Sequence, residues 1–94
     1  MSAECENARI LISGRVQGVG YRYFARLRAE IHRITGYVRN LPDGSVEVVA
    51  EGSRDALDSF IKDLALGPDG GNIRDCQVNW RPITRLYQDF TINY

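Results

Sequence analysis

The stretch Ile34–Glu51, ITGYVRNLPDGSVEVVAE, organises this chain of 94 residues. Its first half is rich in residues that favour β-strands, and Pro42-Asp43-Gly44 then favours a tight turn. After the turn, apolar residues alternate with polar ones, which include Glu47 and Glu51. This alternation is typical of a sheet with one packed face and one solvated face. We therefore predict a β-hairpin that carries Glu47 and Glu51 on its solvated face.

Two other segments show the apolar period of amphipathic helices. The first helix is predicted to begin near Tyr21, and its apolar stripe consists of Phe24, Leu27, Ile31 and Ile34. The second is predicted between the N-cap residue Ser53 and the stop signal Gly67-Pro68. Its apolar stripe consists of Leu57, Phe60, Ile61 and Leu64.

Three further strands complete the predicted order of elements. Alternation predicts strands over residues 8–15, 76–82 and 89–94. The order β-α-β-β-α-β with one more C-terminal strand indicates an α+β, ferredoxin-like sandwich. We expect an antiparallel sheet of order 4-1-3-2, both helices on one face and the extra strand at the end. Residues 1–94 form one domain, in which residues 1–7 are expected to be a flexible tail.

Composition excludes several classes of function. Twelve basic and twelve acidic residues give a formal net charge of zero. The chain therefore has no overall positive charge to attract nucleic acid or an anionic membrane. No apolar run reaches the roughly 20 residues that a membrane helix needs, and the N-terminus lacks the features of a leader peptide. We therefore expect a cytoplasmic monomer that binds neither nucleic acid nor membrane.

Metal and cofactor sites are not indicated either. The single His32 and the two cysteines, Cys5 and Cys76, match no metal-binding spacing. We expect no metal and no cofactor. Cys5 precedes the first strand and Cys76 begins its antiparallel neighbour, so the two thiols should lie at opposite ends of this strand pair and remain free.

The least ordinary segment is Gly14–Arg22, GRVQGVGYR, where three glycines precede a predicted helix start. A cation is unfavourable in the first turn of a helix, so the position of Arg22 calls for a reason. An anion such as phosphate would supply it, because backbone N–H groups and the guanidinium could converge on that anion. The N–H groups concerned are those of Gln17, Gly18, Val19, Gly20 and Tyr21. The alternative is an exposed arginine that falls there by chance.

The same loop resembles the signature loop of the acylphosphatase family, and Gly36–Asn40, GYVRN, resembles that family's second signature. The spacing of the two motifs, the Pro42–Gly44 turn and Gly67-Pro68 also match, and the resemblance covers almost everything from Arg9 onwards. It implies a metal-free hydrolase that cleaves the carboxyl-phosphate bond of acyl phosphates and releases inorganic phosphate. In that reading Arg22 binds the phosphate and Asn40 positions the attacking water.

The chemistry agrees with the residues present. A carboxylate is a good leaving group, so this reaction can proceed without a metal, a covalent nucleophile or a general acid. No base is evident, so a substrate oxygen would take the proton of the water. Without the resemblance, Asn40 could simply be a residue that satisfies the hairpin end.

Two other functions remain open from the sequence. One is a non-catalytic ferredoxin-like module that binds a ligand or RNA, although the aromatic and basic patterns of RNA-binding sheets are missing. The other is a regulatory or carbamoyl-phosphate-processing role within a larger maturation enzyme. Because the sequence ends at Tyr94 without further domains, we expect a free-standing enzyme instead. Arg33 stands where the family commonly has glycine. A left-handed residue there would cost about 1 kcal/mol more as arginine than as glycine.

Overall fold

A computed structural model describes residues 4–17, 20–68 and 73–94. In chain order the elements are β1 (Cys5–Gly14), α1 (Tyr21–His32), β2 (Thr35–Asn40), β3 (Val46–Ser53), α2 (Arg54–Leu66), β4 (Ile73–Arg81) and β5 (Phe90–Asn93). The sheet has the order β4-β1-β3-β2-β5. Its first four strands are antiparallel neighbours, as predicted, whereas β5 pairs parallel to β2. The predicted ferredoxin-like sandwich is confirmed, with a mixed rather than a wholly antiparallel sheet.

The first strand begins earlier than the sequence predicted. Residues 5–7 were expected to be part of a flexible tail, but they pair with β3 from Cys5 onwards. Asn7 is fully buried, and its side chain donates to Glu51 and accepts from Arg81. These cross-strand partners explain the longer strand, because they satisfy polar residues that look like a solvated tail in the sequence.

The core lies between the helices and one face of the sheet. The predicted apolar stripe of α2 is confirmed for Leu57, Phe60 and Leu64, which are fully buried, while Ile61 packs at the edge of the core. Ser53 also caps α2 as predicted, since its hydroxyl accepts from the N–H of Ala56 at 3.2 Å.

The predicted apolar stripe of α1 is wrong in part. Leu27 is 40% exposed and Ile31 is 61% exposed, whereas Tyr21, Ala25 and Ala29 are buried. The helix itself is as predicted, but the face that packs on the core is rotated away from Leu27 and Ile31 and carries the alanines instead. Alanine side chains let α1 lie close to its neighbours, and the hydroxyl of Tyr21 finds a buried acceptor on α2.

The opposite face of the sheet is not solvated along β3. Glu47 is only 3% exposed and Glu51 only 4%, which contradicts the prediction for both residues. Glu47 accepts from Arg9 at 2.7 Å and from Arg39 at 2.6 Å. Burial alone would raise the pKa of the Glu47 carboxyl, but these two bonds outweigh it and hold that pKa below its ordinary value. Paired arginines thus make a buried carboxylate acceptable.

Glu51 holds the segment 82–89 against the sheet. Its carboxylate accepts from the N–H and the hydroxyl of Thr84 and from the N–H of Arg85. It also accepts from Asn7. Burial favours a higher pKa for Glu51, yet these donors lower it below its ordinary value. The segment covers a carboxylate that the sequence pattern assigns to solvent.

Arg33 adopts the left-handed conformation that its position suggested, with φ 59° and ψ 45°. The chain turns here from α1 into β2, and the N–H of Ile34 donates to the carbonyl of Ala29 at 2.8 Å. Gly36, just beyond this turn, has φ 138°, and a Cβ atom there would overlap the carbonyl oxygen of Val49. Only glycine fits that second position.

Both cysteines are free, as predicted. Cys5 lies opposite Ser53, and Cys76 lies opposite Ile12 on the other side of β1. Because Cys5 and Ile12 are seven positions apart along one strand, the thiols are separated by roughly 20 Å at about 3.3 Å per residue.

Candidate active site

A pocket of about 180 Å³ lies where α1 begins. It is lined by Val16, Gly20, Tyr21, Arg22, Tyr23, Asn40, Ile92 and Tyr94. Arg22 and Asn40, which are 18 positions apart in the sequence, therefore border the same space.

Sheet topology explains why these residues meet. β1 and β2 are both antiparallel to β3, and β5 is parallel to β2, so β1, β2 and β5 all run in the same direction. Their carboxyl ends, at Gly14, Asn40 and Asn93, lie along one edge of the sheet. The loop that leaves β1 returns at this edge to start α1.

The N-terminus of α1 is open to an anion. Gly20 precedes it in a left-handed conformation, with φ 76° and ψ 16°, and no side chain of the described residues caps the helix. The first turn contains no acidic residue, and the first backbone bond of the helix runs from Phe24 N–H to the Gly20 carbonyl at 3.0 Å. The N–H groups of residues 21–23 thus have no acceptor within the helix, and they carry the positive end of its dipole.

Arg22 is half-buried and held by the C-terminal strand. Its Nη1 donates to the carbonyl of Asn93 at 3.1 Å, and its Cζ lies 4.6 Å from the centre of the Tyr94 ring. A guanidinium has five N–H donors, and this bond uses one of them. Within the described residues the others are left for an acceptor in the pocket.

Asn40 ends β2 with a side chain whose oxygen is unsatisfied. Its Oδ1 is buried and has no hydrogen-bond partner among the residues that the structure describes. Such an atom is costly, at about 1–3 kcal/mol, unless a ligand or a water pairs with it. The amide oxygen is therefore ready to accept a hydrogen bond from a molecule in the pocket.

The predicted phosphate-binding residues take different places. Gly20 and Tyr21 line the pocket, while Gly18 and Val19 lie outside the described residues. The ring of Tyr21 belongs to the core, and its hydroxyl donates to the carbonyl of Leu64 at 2.7 Å. Burial, and less strongly the Cys76 thiol group, raises the pKa of Tyr21 well above its ordinary value. Because the hydroxyl proton is already donated to Leu64, the backbone N–H is the donor that Tyr21 has left for an anion.

The side chain of Gln17 is turned toward the β2–β3 connection. Its Nε2 donates to the carbonyls of Leu41 and Ser45, each at 2.8 Å. A role for Gln17 in phosphate binding would therefore use its backbone N–H, which stays a prediction.

A family model described as Acylphosphatase matches residues 8–92. The chain belongs to the acylphosphatase family. It is 42% identical over 86 residues to an acylphosphatase of Bacillus licheniformis, covering 92% of this chain and 96% of that protein. The crystal structure of the Bacillus subtilis acylphosphatase superposes with a TM-score of 0.90 at 37% identity, covering 95% of this chain and 99% of the other. The chain also superposes on the crystal structure of full-length HypF in the phosphate- and nucleotide-bound form, with a TM-score of 0.82 at 25% identity. This match covers 100% of the present chain and 12% of HypF.

These matches confirm the family that the two sequence motifs suggested. Membership of the acylphosphatase family and the names of the relatives support an acylphosphatase function. They do not favour a non-catalytic module for ligand or RNA binding.

Sequence reasoning missed the part of the acylphosphatase pocket that comes from the C-terminus. Ile92, Asn93 and Tyr94 were assigned only to a last strand, yet they line the pocket or hold Arg22. The pattern of a terminal strand does not tell which neighbour it joins. Its parallel pairing with β2 was the missing information, because that pairing brings its end beside Asn40.

Metal-ligand clusters and membrane-spanning helices are absent from the described residues. Across residues 4–17, 20–68 and 73–94, no three His, Cys, Asp or Glu side chains cluster in a way that could hold a metal ion. Neither of the two helices is long and apolar enough to span a membrane.

Proposed function

We propose that this protein hydrolyses acyl phosphates to a carboxylate and inorganic phosphate, without a metal ion. One observation carries the proposal: the guanidinium of Arg22 and the Oδ1 of Asn40, which has no partner among the described residues, border the same pocket at the N-terminus of α1. A cationic donor suits the phosphoryl group, and a neutral acceptor suits the water that attacks it.

The phosphoryl group would be bound by Arg22 and by backbone N–H groups from Gln17 to Tyr21, at the positive end of the helix dipole. These donors are complementary to the three equatorial oxygens of a transferring phosphoryl group. Donors that are already in place stabilise developing charge without reorganisation, and this is the main contribution to phosphoryl transfer.

Asn40 would orient the water. Its Oδ1 accepts one hydrogen of the water, so that the water oxygen lies opposite the leaving carboxylate. The new bond forms between this oxygen and phosphorus as the bond from phosphorus to the acyl oxygen breaks, and the carboxylate leaves with that electron pair. The proton of the water passes to a phosphoryl oxygen of the substrate.

The lining of the pocket supports a substrate oxygen as the proton acceptor. Its titratable side chains are Arg22 and the three tyrosines Tyr21, Tyr23 and Tyr94, without any carboxylate or imidazole among the described lining residues. A mixed anhydride needs neither an acid nor a strong base, because its leaving group is a stable carboxylate.

Chelation tests the mechanism directly. The protein should hydrolyse an acyl phosphate in excess EDTA and leave an alkyl phosphate monoester nearly untouched. Loss of activity on chelation, restored by a divalent ion, would contradict metal-free catalysis. Inactivity on every acyl phosphate, in protein that is folded by circular dichroism, would contradict the function itself.

Substitution of arginine tests the assignment of Arg22. Arg22→Gln should lower kcat on the order of 10²- to 10³-fold and weaken binding of inorganic phosphate, since it removes a charged donor. Arg15→Gln and Arg39→Gln are the matched controls. Arg39 already pairs with Glu47 on the other face of the sheet, and Arg15 is exposed, so both variants should keep most of the activity.

We also propose that the protein acts as a monomer on small substrates in the cytoplasm and binds neither nucleic acid nor membrane. The balanced charge of the chain supports the absence of nucleic-acid and membrane binding, because polyanions bind mainly to basic protein surfaces. Analytical ultracentrifugation at micromolar concentration should give the mass of one chain. The mass of a dimer would contradict the proposed monomeric state.

A further inference from the structure

The side chain of Gln17 joins two loops that meet at the pocket. It starts in the connection between β1 and α1 and reaches the connection between β2 and β3. Its Nε2 donates to both the Leu41 carbonyl and the Ser45 carbonyl at 2.8 Å. A carboxamide nitrogen has two hydrogens, and both are used here.

The connection that Gln17 reaches is itself well defined. The N–H of Leu41 donates to the Ser45 carbonyl at 2.8 Å, and the N–H of Gly44 donates to the Leu41 carbonyl at 3.1 Å. Asn40, the residue immediately before Leu41, pairs with Val46 at the end of the sheet. Gln17 is thus bonded to the first residue after Asn40 and to the residue that closes this turn.

The other end of the link lies in the connection between Gly14 and Tyr21, which supplies the proposed phosphate-binding N–H groups and is called the phosphate loop below. Val16, directly before Gln17, is buried and lines the pocket. Gly20, three positions after Gln17, lines the same pocket. Within the described residues, Gln17 supplies the side-chain hydrogen bonds between this loop and the Asn40 connection. A shift of either loop would change the distance between a bound phosphoryl group and Asn40.

We propose that Gln17 is a positioning residue for hydrolysis, and that its carboxamide sets the distance between the phosphate loop and the water held by Asn40. This inference rests on the proposed function. Attack in line with the leaving group requires reacting atoms about 3–3.5 Å apart, and a misplacement near 1 Å can lower the rate by about 10²-fold. Two loops from different parts of the chain need a direct bond to keep that accuracy.

Two substitutions test the link while they keep the length of the side chain. Gln17→Met has no N–H donor, and Gln17→Glu has the same shape but turns an acceptor oxygen toward two carbonyls. Both leave the backbone N–H of residue 17 in place. We expect kcat to fall about 10- to 100-fold in Gln17→Met and further in Gln17→Glu at neutral pH, while the affinity for inorganic phosphate changes less than kcat does.

Gln77→Ala is the matched control. Gln77 also donates through Nε2 to one acceptor, Asp75 Oδ2 at 2.9 Å, but it is exposed on β4 and does not line the pocket. The kcat of Gln77→Ala should equal that of the unmodified protein.

A merely structural role for Gln17 predicts a lower melting temperature of Gln17→Met with kcat per folded molecule unchanged. That result would overturn the inference.

A double-mutant cycle decides whether Gln17 acts through Asn40. When Asn40 has already been replaced by alanine, adding Gln17→Met should lower kcat less than about threefold, because residues that act together are not additive. An undiminished loss in the double variant would overturn the inference. If the unmodified protein hydrolyses acyl phosphate and Gln17→Met has the same kcat, the positioning role is wrong and the proposed function stands. If the unmodified protein does not hydrolyse any acyl phosphate, the proposed function itself is wrong.

Discussion

Two asparagines with buried side-chain atoms offer opposite tests of stability and catalysis. Asn7 is satisfied on both sides, since its Nδ2 donates to Glu51 at 2.7 Å and its Oδ1 accepts from Arg81 at 3.1 Å. Asn40 has a buried Oδ1 without a partner among the described residues. We therefore expect Asn7→Ala to affect stability and Asn40→Ala to affect turnover.

The structure sets the size of each effect. Asn7→Ala removes a hydrogen bond to the Glu51 carboxylate and another from the Arg81 guanidinium. Hydrogen bonds to charged groups contribute about 1.5–3 kcal/mol, but Arg81 is exposed and can bond to water instead, so the free energy of unfolding should fall by about 2 kcal/mol. Glu51 keeps its three donors from Thr84 and Arg85, which limits the loss. Asn40→Ala removes an acceptor that stabilises nothing in the described structure, so its free energy of unfolding should change by less than about 1 kcal/mol.

Catalysis should respond the other way. If Asn40 orients the attacking water, Asn40→Ala loses an interaction that is made in the transition state, and kcat should fall on the order of 10²- to 10³-fold. At about 1.36 kcal/mol per factor of ten, this corresponds to roughly 3–4 kcal/mol of activation free energy. Inorganic phosphate should bind almost as before, because Arg22 and the loop donors are unchanged.

Urea unfolding, kcat on an acyl phosphate and phosphate affinity are measured on the same preparations of both variants. The m-value must stay constant for the unfolding midpoints to be compared. The reasoning is refuted if Asn40→Ala loses as much stability as Asn7→Ala while kcat per folded molecule stays near normal. In that case Asn40 is a residue that satisfies the hairpin, and water is positioned by another group.

Three further predictions concern the turn after α1, the buried carboxylate and the C-terminus. Arg33→Gly should raise the free energy of unfolding by about 0.5–1 kcal/mol, because glycine adopts φ 59° without strain. Arg26→Gly inside α1 is the control and should lower the free energy of unfolding by about 1 kcal/mol. Melting temperatures that shift in the same direction for both variants would contradict this prediction. The pKa of Glu47 is lowered in the folded state, so its stabilisation is complete above the unfolded pKa of about 4.3 and is lost as the pH falls through the folded value. Urea midpoints should therefore drop in acid, and Glu47→Gln should drop less steeply. Tyr94→Ala should weaken phosphate binding about two- to fivefold, since an exposed ring stabilises a guanidinium such as that of Arg22 by about 0.5–1 kcal/mol; Tyr94→Phe should bind normally in the same calorimetric titration.

Much of the fold follows from local signals in the sequence. The hydroxyl of Ser53 caps α2 through a residue three positions away, and the Asp43 carboxylate accepts from the N–H of Ser45 within the predicted turn at 2.9 Å. Interactions of this kind involve neighbours in the chain, so residue type and spacing are enough to predict them. The order of elements was predictable for the same reason, and the free cysteines followed from the strand order that the predicted fold implies.

Other features depend on partners that are distant in the sequence. The packed face of α1 is the one with Ala25 and Ala29 because the neighbouring surfaces admit small side chains there. Glu47 is buried because Arg9 and Arg39 approach it from two other strands. Alternation along one strand identifies two faces, but what covers each face depends on the rest of the chain.

The candidate site divides in the same way. Its two motifs, ending at Arg22 and Asn40, are local sequence patterns, and their spacing was enough to identify the acylphosphatase family. Three features emerge only in the tertiary structure: the Asn40 oxygen that lacks a partner in the described part of the chain, the carbonyl of Asn93 beside Arg22, and the link made by Gln17. They depend on three strands ending at one edge of the sheet, and that arrangement results from long-range pairing that no short stretch of the sequence encodes.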